Sequence, residues 1–76
     1  MDVELTKDEQ EILLFIGMSK FRVTTKDIEK FTHVGDPKNA RLSLQRKGML
    51  RVYASSPLFT IFYGLTKKGE EAIEWI

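Results

Sequence analysis

Cysteine is absent from the 76 residues, histidine and tryptophan occur once each, and proline occurs twice. Without cysteine, neither a disulfide framework nor a thiolate zinc site can form, and the lone His33 cannot assemble a metal site by itself. No metal or other cofactor is therefore expected. No apolar run approaches the roughly 18–20 residues needed to cross a bilayer, and no charged-then-apolar leader opens the chain. A cytoplasmic protein without a membrane partner is the expectation. The chain also lacks a glycine-rich phosphate loop and any pairing of a nucleophile with a base. Glu70, Glu71 and Glu74 read as the solvated side of an amphipathic helix. An enzyme is not expected, and no small-molecule effector is evident.

The length leaves room for one domain, spanning 1–76. Below roughly 70–80 residues a single core supplies only about 3–5 kcal/mol unless something staples it. With disulfides and metals excluded, a second copy of the chain is the staple that remains. The net charge of +1 hides a segregated distribution. Residues 1–19 carry five acids against Lys7, a balance of −4. Residues 20–51 carry nine bases against Asp27, Glu29 and Asp36, a balance of +6, and residues 52–76 come to −1. A basic middle is the electrostatic footprint of a polyanion binder, although charge runs on short chains are often only solvated helix faces.

Local signals divide the chain into seven elements. Thr6-Lys7-Asp8-Glu9 fits a capping box, and Ile12, Leu13, Phe15 and Ile16 form the apolar stripe of a first helix over Lys7 to about Met18. Arg22-Val23-Thr24 is a short extended connector. Thr24 or Thr25 caps a second helix with Ile28 and Phe31 on one face, and Thr32-His33-Val34-Gly35 breaks it. Asp36 as N-cap, Pro37 at the first helical position and Gly48 just past the end bound a third helix over about 37–47. Its inner side holds Pro37, Ala40, Leu44 and Lys47. Lys38, Asn39, Leu42, Gln45 and Arg46 share the opposite side, with Arg41 on the flank. A hairpin follows, with Leu50 and Val52 alternating in its first strand and Phe59, Ile61, Tyr63 and Leu65 in its second. Leu58 and Phe62 fall on the outer face, and Thr66 caps a last helix.

This order, and the segments Leu44-Gln45-Arg46-Lys47-Gly48-Met49-Leu50 and Tyr63 to Gly69 in particular, resembles the winged helix-turn-helix DNA-binding domain of small transcription regulators of the MarR and PadR type. The resemblance implies a mainly α fold with a small antiparallel sheet, in the order α-β-α-α-β-β-α. It implies binding of double-stranded DNA with the third helix in the major groove. Arg46 has the donors for guanine O6 and N7, Asn39 and Gln45 those for adenine, and Leu42 the apolar surface for a thymine methyl. Arg41 flanks that face, and Lys38 suits a base edge or a phosphate. Arg22, Thr25 and Lys26 are candidates for phosphate contacts, together with Lys20. The hairpin tip, Ala54 to Phe59, departs from the pattern in having no Lys or Arg, so the wing is expected to add little affinity. Leu42, Leu58 and Phe62, if exposed, favour the alternative of a winged-helix protein-interaction module without DNA contact.

A homodimer is expected, held by the first and last helices through Ile12, Phe15, Ile73, Trp75 and Ile76. Ile73 and Ile76 lie on one side of the last helix and Trp75 lies off it, so a second chain covers this surplus or Trp75 folds back on the first helix.

Overall fold

Four hydroxyl or carboxylate caps set the start of every helix. Thr6 and Thr24 each head a reciprocal capping box, with Glu9 and Asp27 reaching back to the cap amide. Asp36 accepts from the Asn39 amide, and Thr66 from the Gly69 amide. The computed structural model describes residues 4–19, 23–55 and 60–76. In chain order these residues form α1 (Lys7–Met18), β1 (Val23–Thr24), α2 (Thr25–Phe31), α3 (Pro37–Arg46), β2 (Leu50–Ser55), β3 (Thr60–Leu65) and α4 (Lys67–Ile73). This is the winged helix-turn-helix order expected from the sequence.

The sheet is antiparallel in the order β1-β3-β2. Its register places Val23 and Val52 on either side of Tyr63, and Leu50 opposite Leu65. Val23, Leu50 and Tyr63 point inward and meet Ile12, Leu13 and Ile16 of α1, Ile28 of α2, Ala40 and Leu44 of α3, and Ala72 of α4 in one core, with Leu65 packed against it, while Val52 is 43 % exposed. Of the described residues, none lies in a helix long and apolar enough to cross a membrane.

Several expectations change on packing. Ile12 is fully enclosed by the chain's own core, so it is closed to a second chain. Phe31 does not share the inner face of α2 with Ile28. It is 55 % exposed, with its ring 6.0 Å from that of Phe15, a half-buried α1 residue packed against the edge of the core. Phe62 is half-buried, because its ring lies 5.8 Å from Tyr53 across the hairpin. Trp75 does not fold back on α1. It lies past the end of α4 and is 70 % exposed, with Ile76 beside it at 43 %.

Two glycines fix how the last helix joins the rest. Gly48 takes the left-handed conformation, φ +74°, that lets the chain reverse after α3. At Gly69, a methyl group would drive into the Met49 carbonyl oxygen, so α4 can seat on the start of β2 only with glycine there.

Candidate nucleic-acid interface

The third helix is fastened at both ends and along its inner face. At its start, Asp36 accepts from the Asn39 backbone amide and also from the Asn39 side-chain amide. At its end, the Gly48 amide donates to Gln45 and the Met49 amide to Leu44, each at 3.0 Å, closing a Schellman turn. Leu44 and Met49 are both fully buried, giving this turn its hydrophobic contact. The next segment then grips the turn from outside. The Thr66 hydroxyl donates to the Gly48 carbonyl at 2.6 Å, and the Thr66 amide to the Met49 carbonyl at 3.1 Å.

A buried carboxylate ties the inner face to α1. Glu9 is 2 % exposed and accepts from the Thr6 amide (3.0 Å), the Ser43 hydroxyl (2.9 Å) and the Lys47 ammonium (2.8 Å). Burial pushes the Glu9 carboxyl up, but bonds from Lys47, Thr6 and Ser43, with the charge of Lys47, outweigh it and hold the group below its ordinary value. Lys47 also donates to the Glu4 carbonyl. Its charge is therefore matched within the chain.

What remains on the outside of α3 is close to the expected set. Lys38, Asn39, Leu42 and Arg46 are exposed and Gln45 is half-buried. Asn39 is engaged with its own cap, so its amide must leave Asp36 before it can meet a base. Leu42, 44 % exposed, is the apolar centre of this face. Arg41 departs from expectation. Its guanidinium lies 5.2 Å over the Tyr63 ring and donates to the Tyr63 hydroxyl, so it turns toward the sheet. Thr25 departs as well, because its hydroxyl shares a hydrogen with Tyr63 at 3.1 Å.

The neighbouring elements add further positive charge. Lys26 and Lys30 are exposed on α2, with Lys30 over the Phe31 ring, and Arg51 is exposed on β2 opposite Gly64. His33 is exposed in the turn before α3, where its backbone amide donates to Glu11 at 2.8 Å. Lys20, Arg22, Leu58, Phe59 and most of the wing tip lie outside the described residues. Among the described residues, no group of three His, Cys, Asp or Glu side chains is placed to hold a metal ion.

Sequence reasoning missed Glu9 and Tyr63. Glu9 was legible only as a capping acid in the first turn, and nothing local marks its partners 34 and 38 positions away. Tyr63 read as an inward strand residue, with no sign that its hydroxyl joins α2 to α3.

No protein-family model and no curated protein sequence matches the chain. Solved structures do match. An archaeal protein reported as a mechanosensitive channel, and described as a structural homolog of MarR-like transcriptional regulators, superposes with a TM-score of 0.81 at 21 % identity, over 92 % of this chain and 61 % of its own. The adhesin competence repressor AdcR of Streptococcus pyogenes gives 0.81 at 22 % identity, over 99 % of this chain and 56 % of its own. MepR, the transcription regulator of the Staphylococcus aureus multidrug efflux pump MepA, gives 0.80 at 21 %, over 95 % and 55 %. The likeness is one of fold, and the chain spans little more than half the length of these structures.

Proposed function

We propose that this chain is the DNA-binding unit of a transcription regulator, with α3 entering the major groove of duplex DNA. The observation that carries the reading is the contrast between the two sides of α3. Its inner side is fastened by Asp36, Glu9 and the Gly48 turn, while its outer side presents Lys38, Asn39, Leu42, Gln45 and Arg46. A rigid helix with donors and one apolar group outward is what direct readout requires. Arg46 takes guanine, Gln45 and a released Asn39 take adenine, and Leu42 meets a thymine methyl. Lys26, Lys38 and Arg51 neutralise phosphates. The winged-helix likeness to transcription regulators supports the same assignment.

The regulator acts as a homodimer in this reading, through Phe15, Ile73, Trp75 and Ile76. The two copies of α3 then lie roughly 34 Å apart, one turn of DNA, on an inverted repeat.

Selection from a random duplex pool, followed by titration of the selected site against salt, tests the proposal. Since Arg41 and Lys47 are held internally, about four to five cations per subunit face the duplex, and log affinity should fall against log salt with a slope of about −4 per subunit. Arg46→Ala should weaken the selected site by about 1–3 kcal/mol and random duplex far less. Retention of site preference in both Arg46→Ala and Leu42→Ala would remove α3 as the reader. The second reading, a protein-interaction module, is favoured by the exposed apolar side chains Val52 and Ile61 on the hairpin. It predicts no salt-dependent retention on duplex at all.

A further inference from the structure

Tyr63 stands where three elements meet. It lies in β3 between Val23 and Val52, is 5 % exposed, and sends its hydroxyl out of the sheet toward both helices of the helix-turn-helix pair. That oxygen accepts from the Arg41 guanidinium of α3 and shares a hydrogen with the Thr25 hydroxyl of α2. The Arg41 charge also lies over the Tyr63 ring. One hydroxyl thus bridges α2, the sheet and the middle of α3.

The bridge is not explained by stability alone. The Nε atom of Arg41 is buried without a hydrogen-bond partner among the described residues, an arrangement that native structures seldom retain. An apolar side chain of similar length would fill the same space without that cost. What arginine adds, and a methionine would not, is direction. A hydrogen bond and a ring contact together fix where the flank of α3 sits relative to Tyr63.

The fixed quantity is the roll of α3 about its own axis. At 100° per residue, Gln45 lies about 40° and Lys38 about 60° around the helix from Arg41, so the flank leads directly into the outer face. Side-chain atoms about 5–6 Å from the axis move roughly 1 Å for each 10° of roll, beyond the tolerance of about 0.5 Å that a positioned site can absorb. We infer that Tyr63, acting through Arg41 and Thr25, is a positioning residue that sets the roll of α3 and with it the base specificity of the protein, without touching DNA. The inference rests on the reading of α3 as the major-groove helix.

Tyr63→Phe is the test, because it keeps the ring, the packing and the charge over the ring and removes only the hydroxyl. Preference for the selected site over random duplex should fall about tenfold, while affinity for random duplex and its salt slope stay as in the parent. Arg41→Met should give the same loss of preference with the random-duplex slope unchanged, and Thr25→Val a smaller loss in the same direction. Should Tyr63→Phe fail to fold, as read by circular dichroism, Thr25→Val and Arg41→Met carry the test. Unchanged preference in these variants overturns the inference. So does an equal loss on both duplexes with a slope shallower by about one in Arg41→Met, which would make Arg41 a phosphate contact. A parent protein that selects no site at all overturns the proposed function itself, a result distinct from either.

Discussion

Removing the Lys47 ammonium should cost far more than removing the Glu9 charge, although the two form one ion pair. The Glu9 side chain is 3 % exposed and that of Lys47 is 31 % exposed. In Lys47→Met the carboxylate stays buried with only the Thr6 amide and the Ser43 hydroxyl to stabilise it. Breaking a buried pair from one side costs about 3–5 kcal/mol, and the partial exposure of Lys47 reduces this to about 2–3 kcal/mol. In Glu9→Gln the amide can still serve the capping box, and the freed ammonium keeps the Glu4 carbonyl and turns to water, so the loss is about 1 kcal/mol. A domain of this length has about 4–11 kcal/mol of stability in total, so the first figure is a large share of it. With a urea slope of about 1 kcal/mol/M, the Lys47→Met midpoint should fall by about 2–3 M. The pH dependence follows from the lowered Glu9 group. Its contribution is present above the unfolded carboxyl value and is lost as pH falls through the folded one. The gap between parent and Lys47→Met should therefore be full at pH 7 and close once Glu9 is protonated. Urea titrations at pH 7 and pH 3 measure it. An equal gap at both, or a Glu9→Gln loss as large as that of Lys47→Met, would refute the account.

Gly69→Ala should destabilise by about 2–3 kcal/mol, because the methyl group meets backbone rather than a yielding side chain, whereas Gly35→Ala, with open space around it, should stay within about 0.5 kcal/mol. Thermal melts compare the two directly. Thr24→Ala removes the cap of α2 and should cost about 1 kcal/mol, seen as a lower urea midpoint with unchanged slope. In sedimentation equilibrium at micromolar concentration, the protein should run at twice 8.8 kDa, and Trp75→Ala should return it to the single mass. A parent protein already at the single mass, binding one half-site with full affinity, would refute the dimer.

The parts of the fold that local chemistry dictates were legible in advance. Thr6, Asp36 and Thr66 each cap an amide three residues on, and Gly48 ends α3, all within a single turn of chain. The outer face of α3 was legible for the same reason, since helical spacing alone separates Leu42 and Arg46 from Ala40 and Leu44. Packing between distant segments was not. Arg41 and Thr25 read as DNA contacts because nothing in their neighbourhood announces Tyr63. Phe31 has the spacing of a core residue, yet the core is already filled at Ile28 and the ring rests beside Phe15 instead. The surplus of apolar residues on α1 proved smaller than counted, because Ile12, Leu13 and Ile16 all find partners within the chain.

The clasp between Thr66 and the Gly48 turn also has a mechanical meaning. No free loop separates the end of α3 from the start of α4 at this point, since two hydrogen bonds and the close seat of Gly69 join them. Six and seven residues after Gly69, about 9–10 Å along the helix direction, come the exposed Trp75 and Ile76. The fourth helix is thus a short crank with one end fixed to α3 and the other offered to solvent.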